Sequence, residues 1–125
     1  MLKLITTIGF ICCFSQLALS QQWLSGQWTG KGRQPGGSVW TMRVTARKSK
    51  VRVEYPSLKC WGYWKLVSFN KSRAHFWENI RYNRKACEPT GNVFIRRLQN
   101  NRILFNYRYN GESKTGARAI LRKIK

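Results

Sequence analysis

After residue 20 the apolar residues recur at every second position, and no long stretch shows a helical period. Trp40, Met42, Val44 and Ala46 fall on one side of an extended chain, with Val39, Thr41, Arg43 and Thr45 on the other. Val51, Val53 and Tyr55 oppose Arg52 and Glu54. Ile103, Phe105, Tyr107 and Tyr109 oppose Leu104, Asn106 and Arg108. A period of two puts successive side chains on opposite faces of a strand. The pattern predicts eight strands, over 27–33, 38–46, 50–55, 62–69, 73–82, 91–98, 102–110 and 117–123. Turn-forming residues separate them: Gln34-Pro35-Gly36-Gly37, Lys48-Ser49, Asn70-Lys71-Ser72, Glu88-Pro89-Thr90-Gly91, Asn100-Asn101 and Asn110-Gly111. Strands with one apolar and one basic face fit an antiparallel sheet wetted on one side. Eight of them with short connections predict an all-β fold, a single antiparallel eight-stranded up-and-down barrel, which removes exposed edges by closing on itself. A two-sheet β-sandwich is the alternative.

The first twenty residues follow another pattern. Lys3 precedes the apolar run Leu4–Phe14, and Ala18-Leu19-Ser20 puts small residues at the −3 and −1 positions of a cleavage after Ser20. Eleven residues are too few to cross a hydrocarbon core that needs roughly 20. Residues 1–20 are therefore read as a signal peptide and 21–125 as one β-barrel domain, secreted or periplasmic. Cys12 and Cys13 fall inside the leader, and neither follows the small residue that a lipoprotein cleavage site wants. Cys60 and Cys87 remain. In an exported chain they are expected to form a disulfide, which would contribute roughly 3–4 kcal/mol on the chain-entropy model; two free buried thiols are the alternative.

Charge narrows the function classes. The chain carries 24 Lys and Arg against 4 acidic residues, all glutamate, for a formal net charge of +20. Loss of Lys3 with the leader lowers this by one. With no aspartate and a single histidine, His75, the sequence offers no carboxylate cluster for calcium or magnesium, no zinc site and no Ser-His-Asp triad. It also lacks a glycine-rich phosphate loop. No cofactor, no metal and no enzymatic activity are expected. So large a positive excess implies attraction to an anionic polymer, an anionic membrane surface or an acidic protein, by a molecule expected to be a monomer.

Two resemblances add to this. Gly26-Gln27-Trp28 at the head of the first strand resembles the Gly-x-Trp of the calycin families, the lipocalins and avidins. The resemblance implies that Trp28 plugs one barrel end under a basic residue of the last strand, Arg118 or Arg122, stacked by cation–π attraction. An ordinary core tryptophan is the alternative. The succession Tyr55-Pro56-Ser57-Leu58-Lys59-Cys60, Trp64-x-Leu66, Phe76-x-Glu78-x-Ile80, Cys87 and Gly91-x-Val93 resembles a family of small bacterial extracytoplasmic domains. Its members stand alone after a signal peptide or on the outer side of membrane signalling kinases. A compact β domain with one disulfide is implied, and no particular activity. Where that family often has two small residues after the first cysteine, this chain has Trp61-Gly62.

Most aromatic side chains are expected in the core. Trp61, Tyr63 and Trp64 crowd beside Cys60, and Trp77 lies next to His75 on the strand face opposite Phe76 and Glu78. Trp61, Trp64 and Trp77, with Arg43, Arg52, Arg81 and Arg108, are the candidates for a stacking and anion-tracking surface. Glu78 shares a face with Ala74, Phe76, Ile80 and Tyr82, so it is expected to be buried, paired with an arginine and ionised; orienting a ligand is its other candidate role. A nuclease-type toxin using His75, Glu78 and Arg81 is an alternative function, opposed by strand geometry that points residues 75 and 78 to opposite faces. A periplasmic enzyme inhibitor is another. Bulky residues favour a filled barrel that binds on its surface or at its mouth.

Overall fold

The computed structural model describes residues 23–125. The expected signal peptide, with Cys12 and Cys13, lies outside the described residues. Eight strands follow in chain order: β1 (Gly26–Arg33), β2 (Val39–Arg47), β3 (Lys50–Tyr55), β4 (Cys60–Phe69), β5 (Arg73–Tyr82), β6 (Thr90–Arg97), β7 (Arg102–Arg108) and β8 (Ala117–Lys123), with a 3-10 turn at Pro56–Leu58 between β3 and β4. Each strand pairs antiparallel with its sequence neighbour. β8 returns to β1, setting Trp28 opposite Lys123 and Arg33 opposite Arg118. The sheet is a closed up-and-down barrel, as the alternation predicts, and not a sandwich.

Local chemistry explains the turns. Asn70 Oδ1 accepts hydrogen bonds from the amides of Ser72 and Arg73 at 2.9 and 2.8 Å, turning β4 into β5. Asn100 and Asn101 both hold left-handed backbone, φ 60° and 53°, which asparagine tolerates better than most residues. β7 stops at Arg108 because the next residue enters a turn, the Tyr109 carbonyl accepting from the Glu112 amide at 3.1 Å.

The inward-facing residues form one core: Trp40, Met42, Val44 and Ala46 from β2, Val51, Val53 and Tyr55 from β3, Ile103, Phe105 and Tyr107 from β7. Tyr82 leaves the inward set that the alternation assigns it. A register shift between Trp61 and Gly62 carries the end of β5 beyond the core, and Tyr82 is 58 % exposed.

The two barrel ends differ. At one end the Trp28 ring is buried, and its Nε1 donates to the Leu24 carbonyl at 2.8 Å. Trp23 stacks on Phe69 at 5.1 Å and donates to the Asn70 carbonyl. Gly26 has φ +119°, and a Cβ there would stand 2.2 Å from the Lys125 carbonyl oxygen, so only glycine fits ahead of the tryptophan. The cation over Trp28 is Lys123, with Nζ 5.7 Å from the ring centre, not Arg118 or Arg122. In β8 the inward set is Ala117, Ala119 and Leu121. Period two therefore sends both arginines outside and leaves residue 123 in line with the plug. At the opposite end, four loops (34–38, 56–59, 83–89 and 109–116) ring an open mouth. Cys60, the first residue of β4, is joined to Cys87 in loop 83–89 by a disulfide, with Cα atoms 6.5 Å apart. The bond fits an oxidising, extracytoplasmic setting. Among the described residues no helix is long and apolar enough to cross a membrane.

Candidate functional site

Two concave features stand out, one inside the mouth and one on the outer wall. The mouth cavity measures about 200 Å³. Trp40 (β2), Tyr55 (β3), Phe105 and Tyr107 (β7) form its walls, Tyr109 and Glu88 stand at its rim, and Glu78 from β5 lines it too. Space for the rings comes from glycines across the wall. A Cβ on Gly32 would meet the Trp40 ring at 2.1 Å, and one on Gly91 the Tyr107 hydroxyl at 2.0 Å. The Tyr107 hydroxyl donates to the Thr90 carbonyl at 2.9 Å, and Trp40 stands edge-on to Tyr55 and Phe105. Below this level, toward the Trp28 plug, Met42, Val44, Val53, Ile95, Ile103 and Leu121 are buried.

Glu78 is 2 % exposed. The arginine partner expected for it is absent; the Tyr55 hydroxyl and Trp64 Nε1 instead donate to its Oε1, at 2.5 and 2.8 Å. Burial pushes the carboxyl up to about 7, against the opposing pull of those two hydrogen bonds. Nor is Glu78 held firmly ionised, because among the described residues no arginine or lysine pairs with it. Burial raises Tyr55 well above the ordinary phenol value, with the Glu78 carboxyl adding to the effect, and raises Tyr107 for the same reasons. Trp40 Nε1 is buried with no acceptor among the described residues.

The outer groove spans β5 to β8 and measures about 590 Å³. His75 stacks on Phe94 at 4.3 Å with planes 14° apart, and the Arg108 guanidinium lies 4.5 Å from the same ring. His75 Nε2 pairs with Asn92 Oδ1 at 2.8 Å. Arg118 Nε donates to Asn106 Oδ1 at 3.2 Å, while Arg73 and Arg96 flank the groove and Arg108 Nε has no acceptor among the described residues. No carboxylate is among the lining residues.

The sequence-selected residues divide between the two faces. Trp64 is no surface aromatic: at 4 % exposure it stacks inside the barrel on Phe105 and holds Glu78. Trp61 and Tyr63, one residue to either side of Gly62, lie on the outer wall. There Arg52 covers Trp61 at 4.0 Å, Trp61 stacks on Tyr82, and Lys50 covers Tyr63 at 5.0 Å. Trp77 is half-buried on the outer face of β5, and Arg43 and Arg81 are exposed on β2 and β5, outside the groove. His75 and Glu78 do lie on opposite faces, one in the groove and the other in the mouth. Of the outer arginines only Arg108 joins the groove from the selected surface set, and Arg118 joins it in place of its expected cover over Trp28. Sequence reasoning missed the Phe94 platform, Arg73 and Arg96, and the mouth walls Trp40, Tyr55 and Tyr107. Their facing was legible, but their convergence depends on register between strands.

No protein-family model, curated protein or solved structure matches this chain. Among the described residues one ion pair lies within 4 Å, Arg52 Nε to Glu54 Oε1 at 3.9 Å. Nearly all of the positive charge is therefore uncompensated at the surface. No group of three or more metal-ligating side chains comes together among the described residues.

Proposed function

We propose that this protein is a non-enzymatic extracytoplasmic binding module that engages an anionic polymer along the outer groove of β5–β8. The observation that carries the reading is the gathering of Arg73, Arg96, Arg108 and Arg118 around the stacked His75 and Phe94, with no carboxylate among the lining residues. Cations in a row exchange condensed counterions for phosphate or sulfate groups. A planar His–Phe–Arg stack beside them gives flat groups of the polymer a platform. A membrane surface or an acidic protein would need only the general field, whereas the groove adds a track and a stacking surface. The separation of His75 from Glu78 favours binding over acid–base cleavage. Export with cleavage after Ser20 and a monomeric state belong to the same reading, as does the sequence resemblance to extracytoplasmic domains.

The test compares two triple variants on a single-stranded oligonucleotide and on heparin, between roughly 50 and 200 mM salt. Arg96→Gln/Arg108→Gln/Arg118→Gln should weaken binding and flatten the log–log salt slope on the oligonucleotide by about 2, near 0.7 per lost contact. Arg43→Gln/Arg47→Gln/Arg122→Gln, equal in charge but outside the groove, should cost much less. Equal losses would show that the diffuse field binds and the groove does not. Stronger binding to anionic vesicles than to either polymer would point to a membrane surface.

A further inference from the structure

The mouth inverts the composition of the chain. Lys and Arg supply 24 of 125 residues, yet none of those among the described residues lines this cavity, whereas two of the four glutamates, Glu78 and Glu88, do. Around them stand Trp40, Tyr55, Phe105, Tyr107 and Tyr109. We infer that the barrel mouth binds a small organic cation carrying an ammonium group, seated between the aromatic walls with its nitrogen on the Glu78 carboxylate.

Each part of the cavity favours that ligand class. Aromatic faces attract a cation through their quadrupole, most strongly where water is displaced. Both hydrogen bonds to Glu78 fall on Oε1, so Oε2 has no protein donor among the described residues, on a carboxylate that lines the cavity. A buried carboxylate without a cation is costly, and an ammonium supplies both the missing charge and the missing donor. An anionic ligand would meet two glutamates and no basic side chain. A volume of about 200 Å³ lies below the roughly 300–1,000 Å³ of sites for drug-sized molecules, so the ligand is small. The disulfide moors loop 83–89, and with it Glu88, over the opening.

Two linkages follow. Tyr55 from β3, Trp64 from β4, Gly91 opposite on β6 and Tyr107 from β7 face Glu78, and Glu88 is the other acid of the mouth. No cation stands among these groups. With the Glu78 carboxyl at about 7 in the empty site, an ammonium must displace its proton at lower pH. Affinity should fall nearly tenfold per pH unit below that value and level off above it. The second linkage is to salt. The positive exterior repels a cation, and screening relieves that repulsion more than it weakens a buried pair. Amine binding should therefore hold or strengthen as salt rises, opposite in sign to polymer binding in the groove, so each reading can fail without the other.

Calorimetric titration of the whole mature chain with benzylamine, benzyl alcohol and benzoate tests the inference. Benzylamine should bind one per chain, benzyl alcohol at least tenfold more weakly and benzoate more weakly still. Glu78→Gln should lose tenfold or more of the amine affinity, together with its pH dependence, while keeping its affinity for the alcohol. Tyr109→Leu, at the rim, should weaken the amine several-fold and leave the pH profile in place. Equal binding of the three probes, preference for benzoate, no binding of any, or amine affinity unchanged in Glu78→Gln would each overturn the inference. Should Glu78→Gln fail to fold, a flat pH profile of the unaltered protein between pH 5.5 and 8 would do the same.

Discussion

Glu78 shows how one residue's setting outweighs its type. Its alternation with Ala74, Phe76 and Ile80 made its burial legible, and burial is what the structure has. The expected arginine failed because the arginines of the neighbouring strand β6 lie away from it: Arg96 faces outward, and Arg97, on the side of Val93 and Ile95, is exposed at the opposite barrel end beside Ser72. Tyr55 and Trp64 both hydrogen-bond one oxygen of the carboxyl, Oε1, and bring no charge. The consequence is a pH-dependent stability. The carboxyl titrates at about 7 in the fold, above its ordinary value of 4.5, so the unfolded chain releases this proton first as pH rises. The native state's advantage is complete below about 4.5 and is lost as pH climbs through about 7. Its full size is on the order of 3 kcal/mol. Urea unfolding of the protein and of Glu78→Gln should therefore diverge, the variant gaining relative stability of that order between pH 4.5 and 7.5. A constant difference across that range would mean the carboxyl is not perturbed.

At the scale of elements, the joint between β4 and loop 83–89 matters most. Pro56 ends β3, since it cannot donate to a ladder, and the 3-10 turn at Pro56–Leu58 delivers Cys60 to the mouth. The hairpin of β4 and β5 then returns the chain to the same end, where Cys87 meets it. Asn83 Nδ2 donates to the Lys59 carbonyl at 3.1 Å, and the Ile80 amide donates to the Pro89 carbonyl at 2.8 Å, holding the loop from both sides. The cysteines are 27 residues apart, a loop length for which the chain-entropy model gives about 3–4 kcal/mol. Cys60→Ser/Cys87→Ser should lose about that much stability in guanidinium unfolding. Amide exchange should accelerate first in loop 83–89 and last around Trp28, at the far end. Uniform acceleration would mean that the bond does not moor the mouth. The pairing was readable from two remaining cysteines and the hairpin between them. The bulge that swings Tyr82 outward was not, because it is a register shift in the pairing of β4 with β5, between Trp61 and Gly62, and neither strand alone carries it.

For the molecule as a whole, closure is the decisive step. The pairing of β8 with β1 joins opposite ends of the described chain and leaves no strand edge open. A chain ending after Gly116 would expose the free edges of β1 and β7 and open the core at Ala119 and Leu121. It should lose cooperative unfolding and sediment as aggregates, whereas the intact chain should sediment as a single species. A soluble, cooperatively unfolding truncated chain would mean that seven strands suffice. Closure also creates the mouth, because it brings all four loops at one end to face one another, whereas the groove needs only the hairpin pairing of β5 through β8.

By itself the sequence determined the eight strands, their turns, the side to which nearly every residue points, and the one covalent bond. All of these follow from the period of two, from turn chemistry and from a count of cysteines, which are local properties. Tertiary structure decided which residues meet. Lys123 rather than an arginine covers Trp28, Trp64 turns inward to Glu78, Phe94 sits between histidine and arginine, and two of the four glutamates share a pocket without a basic residue. Such meetings depend on register across neighbouring strands and on where the barrel closes. Long-range pairing sets both, and no stretch of sequence carries that information alone.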